Sequence, residues 1–241
     1  MRKVFAFLFL ITSGLAFANP PGTFQPLLLA GGPQGPVTFD AKGTANCYAA
    51  SATSVTCSTL TVGTGAKRAL AVTLVWSSLP SAVSCTWDSG GSNQVMTQIS
   101  LQSNTRAAAL FGLVNPVSGA KTLSCSWTGT VTDTFVAGIS FNNVDQTGGT
   151  TTFYNATSTS GSGGTQTVTV TSATTDAAVN ATGGLPLTST PSQTSLFIDN
   201  THGSVINAGA SYNVGSASAV FGWSPATEAA WINIGVALKN G

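Results

Sequence analysis

Residues 68–76, Arg-Ala-Leu-Ala-Val-Thr-Leu-Val-Trp, decide the fold. Leu70, Val72, Leu74 and Trp76 fall on alternate positions, the period of two of a pleated strand rather than the 3.6 of a helix. Two further segments repeat the pattern: Thr134 to Phe141 brings Phe135, Ala137, Ile139 and Phe141 onto one face, and Trp231 to Leu238 does the same with Ile232, Ile234, Val236 and Leu238. Turn chemistry separates such runs at Leu79-Pro80-Ser81, Gly90-Gly91, Asn115 to Gly119, Gly148-Gly149, Gly161 to Gly164 and Gly183-Gly184. No long amphipathic helix interrupts them. Short strands spaced by turns predict an all-β chain, an antiparallel two-sheet β-sandwich with the jelly roll as one arrangement of it. The Gly-rich stretch 161–164 could divide two smaller units, but the apolar strands on its two sides need one another, so one domain is expected over residues 45–241.

The N-terminus reads as an export signal over residues 1–18. Arg2 and Lys3 precede the apolar run Val4 to Ile11, and Ala16-Phe17-Ala18 forms a small-x-small cleavage site. The run is too short to span a bilayer. No cysteine follows the cut to take a lipid anchor, no later run is apolar enough for a membrane span, and a secreted chain starting at Asn19 is expected. Residues 19–44 are rich in Gly and Pro and read as an extended lead or first edge segment.

Charged residues make up 6% of the chain, against about 25% in ordinary domains, while Ser and Thr supply roughly a quarter. Nothing forms the basic stripe that a nucleic-acid partner requires. Four cysteines fit an oxidising compartment. Four permit three pairings. The matching contexts Ser84-Cys85-Thr86-Trp87 and Ser124-Cys125-Ser126-Trp127 favour Cys85 with Cys125, leaving Cys47 with Cys57. A zinc site lacks its C-x-x-C pair, and no cofactor motif is present.

Asp88-Ser89-Gly90-Gly91 matches the string around a trypsin-like serine nucleophile. The one histidine, His202, lies downstream of Ser89, whereas that family places it upstream, and Trp87 stands where the family has glycine. A Ser-Asp-His order using Asp199 and His202 would need a strand-to-helix elbow that the sequence lacks. The expectation is a turn, and no catalytic residue is assigned. Seven acidic residues, one of them glutamate, form no recognisable glycosidase pair, which argues against an enzyme.

Three weaker signals remain. Asp145, in Val144-Asp145-Gln146-Thr147, follows a strong strand and is either a calcium ligand or, the favoured reading, an Asx-type turn. Of five tryptophans most should be core, with Trp87 and Trp127, bordering turns, the candidates for stacking a sugar ring. Thr165, Thr167, Thr169 and Thr171 make a period-two hydroxyl ladder, ordinary solvent-face usage, on a strand whose edge could pair with another chain.

The succession Arg68-Ala69-Leu70-Ala71-Val72, Val83 through Gly91, Leu113-Val114-Asn115-Pro116-Val117-Ser118-Gly119, Phe141-Asn142-Asn143-Val144-Asp145-Gln146-Thr147 and Trp231 to Lys239 resembles a widespread group of exported bacterial and phage-associated β-sandwich domains of largely unknown function. Asp88-Ser89 replaces that group's glycine pair, and Asn142-Asn143 its small residue and glycine. The resemblance implies surface binding, adhesion or scaffolding and carries over no catalytic residue. The expected function is therefore surface binding or adhesion, with a glycan or other cell-surface component as partner. The alternatives are a self-assembling appendage or virion subunit, associating through an edge strand, and a carbohydrate-active enzyme.

Overall fold

The structure, a computed structural model, describes residues 34–43, 47–184, 188, 192–202, 206–224 and 230–241. The expected signal, residues 1–18, lies outside the described residues. Among the described residues seventeen strands and one helical turn follow in order. They are β1 (Thr38–Lys42), β2 (Cys47–Cys57), β3 (Thr61–Val62), β4 (Ala69–Trp76), β5 (Ser81–Trp87) and β6 (Gln94–Val95). Next come β7 (Thr97–Ser103), β8 (Ala107–Val114), β9 (Gly119–Ala120), β10 (Leu123–Asn142), α1 (Gly149–Thr152) and β11 (Phe153–Gly161). The chain ends with β12 (Gln166–Val170), β13 (Ala177–Gly184), β14 (Thr194–Asp199), β15 (Asn207–Val214), β16 (Ala219–Trp223) and β17 (Trp231–Leu238). All ladders are antiparallel.

An eight-stranded sheet runs β6-β5-β10-β4-β8-β7, with β1 and β2 on the free side of β10, and a five-stranded sheet runs β11-β17-β13-β15-β14. Phe135, Ala137, Ile139 and Phe141 of the first meet Ile232, Ile234, Val236 and Leu238 of the second in one apolar core. Two of the three periodic segments thus face each other across the sandwich. β1 pairs with the end of β10, so the sandwich begins upstream of residue 45, inside the Gly/Pro-rich lead. The described residues form one unit, undivided at Gly161 to Gly164.

The third segment looks the other way. Leu70, Val72, Leu74 and Trp76 lie on the outer face of the large sheet, yet every residue of β4 is buried. The cover comes from the sheet itself, which folds over where β10 loses register between Ser126 and Val131 and Gly129 takes φ 94°. β2 turns with it at Ser51, φ 48°. Ten extended residues would span about 33 Å, but the Cα atoms of Cys47 and Cys57 are 5.7 Å apart and their sulfurs are bonded. The folded-over part holds Cys85 directly opposite Cys125 in the β5–β10 ladder, joined by the second disulfide. Both favoured pairings are formed. Burying each large aliphatic side chain of this second core contributes about 1.5–3 kcal/mol.

The small sheet is covered too. β12 and β16 pair with each other and lay Val168, Val170 and Phe221 on Ala178 and Ala237. Beneath them runs a fully buried polar network. Asn180 Oδ1 accepts from Trp223 Nε1 (2.7 Å) and Ser211 Oγ (3.2 Å), Asn180 Nδ2 donates to Ile234 O (2.9 Å), and Thr182 Oγ1 donates to Gln166 Oε1 (2.5 Å). Such a network specifies one seating of the covering strands, because displacing them strands its donors and acceptors away from water.

The edges of β12, β14 and β16 are capped by side chains. Thr159 and Asn155 of β11 donate to the Thr167 and Thr171 carbonyls along β12, while on the far edge of β16 Ser192 Oγ donates to Val220 O and Gly222 N donates to Gln193 Oε1. On β14 the ladder slips between Ser195 and Phe197, and Lys42 Nζ donates to the Leu196 carbonyl at 2.6 Å while lying 4.8 Å over the Phe197 ring. A bulge plus a lysine blunts an edge against pairing with a second chain.

Candidate functional site

Asp88 to Asn93 is a tight turn. The Asp88 carboxylate accepts from Ser92 N and Oγ, both at 2.8 Å, and Lys121 Nζ lies 3.7 Å away. Those two Ser92 bonds first, opposed by burial and aided by the smaller effect of the lysine, hold the carboxyl below its ordinary range. Ser89 donates both N–H (2.9 Å) and Oγ–H (3.4 Å) to the Thr122 carbonyl. His202 is engaged elsewhere: its Nδ1 is 2.7 Å from Asp199 Oδ2 and 3.1 Å from Thr201 Oγ1, and its ring packs on Tyr48 at 5.4 Å. The Asp-Ser-Gly-Gly string makes a turn, with Ser89 bonded to the Thr122 carbonyl.

Trp87 and Trp127 require a correction. Trp87 is 0% exposed with Nε1 donating to Val117 O, and Trp127 is 5% exposed with Nε1 donating to Ala52 O. Both border turns, but those turns belong to the folded-over part of the large sheet, so the rings fill the second core, Trp127 edge-on to Trp76 at 5.8 Å. Neither offers a face to a sugar.

Asp145 forms an Asx-type turn. Its Oδ1 accepts from Thr147 N and Oγ1 (3.4 and 3.0 Å) and its Oδ2 from Thr152 Oγ1 (3.2 Å). Burial works to raise this carboxyl, but the bonds from Thr147 and Thr152 and the charge of Lys239 outweigh it and leave it lowered. The other aspartates are equally engaged. Asp40 accepts from Gly63 N, Ser140 Oγ and Asn142 Nδ2, buried Asp133 accepts from Tyr48 OH at 2.7 Å, and Asp199 accepts from Thr201 and His202. Burial first, then the bond to Asp133 and the charges of Asp133 and Asp199, pushes the Tyr48 phenol up to about 12. Glu228 lies outside the described residues, within which no group of three or more His, Cys, Asp or Glu side chains converges.

The concave surface lies elsewhere, around Asp176. This residue, 4% exposed, accepts from Tyr154 OH and Ala173 N on Oδ2 and from Asn240 N on Oδ1. Burial and the bond to Asp176 push the Tyr154 phenol up to about 12. Two clefts share Asp176. One, about 460 Å³, is lined by Pro36, Phe39, Thr38, Thr174, Tyr212 and Val214. The other, about 500 Å³, is lined by Thr151, Tyr154, Thr175, Lys239 and Asn240. Both volumes lie in the range of ligand pockets, about 300–1,000 Å³. Phe39 and Tyr212 stack at 5.4 Å and 16°, and Phe141 supports both edge-on. Phe39 and Val214 are 36% and 70% exposed. The hydroxyls of Thr38, Thr151, Thr174, Thr175 and Tyr212 make no hydrogen bond to any described residue, whereas the Asp176 carboxylate accepts three.

Sequence reasoning missed this site because Phe39 sits in the Gly/Pro-rich lead and Tyr212 lies 173 positions further on, with no shared motif. Only the pairing of β1 with β10 beside the β13–β15 ladder brings the two rings together. No protein-family model, no curated protein and no solved structure matches the chain.

Proposed function

We propose that this chain is an exported, non-catalytic β-sandwich that binds a component of a cell or virion surface through the two clefts that meet at Asp176. The observation that carries the reading is the contrast between the carboxylates and the clefts: each of the six aspartates serves as a hydrogen-bond acceptor within the fold, while the two clefts at Asp176 combine a stacked aromatic pair with threonine and tyrosine hydroxyls that bond to no described residue. Turnover by the glycosidase route needs two available carboxylates flanking a bond, whereas recognition needs shape, an apolar wall and oriented donors. Export agrees with the signal-like N-terminus and the two disulfides. The capped edges of β12, β14 and β16 favour binding over assembly by strand addition.

The test compares fluorescently labelled mature protein with the Thr175→Arg/Val214→Arg variant on isolated bacterial cell envelopes. Both positions are exposed, so the arginines obstruct the clefts without entering the core. Saturable binding of the wild type that the variant loses is expected. Equal binding by both rejects the clefts as the site, and large species in sedimentation at high concentration favour the appendage subunit instead.

A further inference from the structure

Resting on the surface-binding reading, we infer that the ligand of the two clefts is a neutral glycan chain, with one sugar ring against Phe39 and Tyr212 and the next across Asp176 beside Tyr154. Charge favours a neutral ligand. Among the described residues the only carboxylate lining either cleft, that of Asp176, already accepts three hydrogen bonds, so it has little capacity left to anchor a cationic peptide. The one ammonium among the described lining residues, Lys239, shares the second cleft with the Asp176 carboxylate, and the two charges are opposite. The clefts therefore present no net charge to which an ionic ligand would owe its affinity.

The surfaces match as well. A pyranose shows an apolar C–H face and a circumference of hydroxyls, and aromatic rings receive such faces well. Here the half-exposed Phe39 ring, braced from behind by Tyr212 and Phe141, stands next to Thr38 and Thr174. The neighbouring cleft continues with Thr151, Thr175 and the Asn240 side of Asp176. The platform is also firmly built. Asn240 donates its side-chain N–H groups to Gly35 O (2.7 Å) and Asn143 O (3.1 Å) and its backbone N–H to Asp176, tying the C-terminal segment to the start of β1 under both clefts. A wall held in place before binding loses little ordering entropy when a ligand arrives.

The experiment is affinity electrophoresis of the intact mature protein through gels containing a neutral polysaccharide (mannan, amylose or hydroxyethyl cellulose), an acidic one (polygalacturonate) or none. The same runs use Phe39→Ala, Thr175→Arg and Val214→Arg, each checked by its melting curve. Retardation by at least one neutral polymer, unchanged on raising salt and weakened about tenfold or more (about 1.4 kcal/mol) by each folded variant, is expected. Should Phe39→Ala fail to fold, the two arginine variants carry the comparison alone. Retardation by polygalacturonate only, abolished by salt, overturns the inference, and so does the absence of retardation in every gel. It falls as well if binding is the same in all folded variants, or if an apolar peptide displaces the polymer. Envelope binding that is lost in Thr175→Arg/Val214→Arg while no neutral polymer retards the protein removes the glycan but leaves the clefts as a binding site. Envelope binding insensitive to that variant removes both.

Discussion

Replacing Gly209 by alanine tests the layered architecture where it is tightest. Gly209 lies in β15 under the indole of Trp223, and a Cβ there would sit 2.6 Å from both Cη2 and Cζ3 of that ring. The indole cannot slide aside freely, because its Nε1 donates to Asn180 Oδ1 at 2.7 Å inside the buried network. Two costs follow: overpacking of a dense core, about 1–3 kcal/mol, and loosening of a buried hydrogen bond, about 1–3 kcal/mol. Alanine's lower unfolded-state entropy returns about 0.5–1 kcal/mol. The net expectation is destabilisation by about 2–4 kcal/mol, a fall in melting temperature of about 6–12 °C for a domain of this size. Guanidinium unfolding with an unchanged slope is the assay. Gly35→Ala is the control, since its nearest neighbour is Asn143 Nδ2 at 3.5 Å, ordinary contact, and it should stay within about 0.5 kcal/mol of wild type. Adding Trp223→Phe to Gly209→Ala should cost less than the sum of the two single changes. A Gly209→Ala protein as stable as the control would mean that β16 does not lie on β15 in this way.

Removing the Cys85–Cys125 disulfide (C85A/C125A) should cost about 4 kcal/mol and removing Cys47–Cys57 (C47A/C57A) a little under 3, by the entropy of closing about 40- and 10-residue loops; an inverted order in denaturant titrations contradicts this. The phenols of Tyr48 and Tyr154 are pushed from 10.0 up to about 12, so the folded state keeps protons that the unfolded chain releases between those values. Their contribution is whole below pH 10 and is lost as pH rises toward 12. Tyr48→Phe should flatten the fall of the urea midpoint across that window, and an unaltered slope would exclude Tyr48 as its source. Lys42→Met should change stability by less than about 1 kcal/mol yet increase concentration-dependent association seen by light scattering, because the bulged edge at Leu196 loses its cap.

The class of fold was legible in local sequence because a strand's alternation is written in adjacent residues. Leu70, Val72, Leu74 and Trp76 had to share one face whatever they met there, and matching contexts around Cys85 and Cys125 marked strands that lie side by side. Turn chemistry at Asp88 to Gly91 and Val144 to Thr147 was equally local, since each aspartate bonds to atoms within a few residues of itself. Tertiary structure alone decided which face was covered by what. The fold-over of β10 at residues 127–130 turned a solvent-side expectation for Trp87 and Trp127 into a second core, and it depends on a register slip between strands distant in sequence. The clefts at Asp176 likewise join residues 36–39, 151–154, 174–176, 212–214 and 239–240. Alternation specifies a direction for each side chain, but what lies in that direction is set by long-range pairing, and no single stretch of chain encodes it.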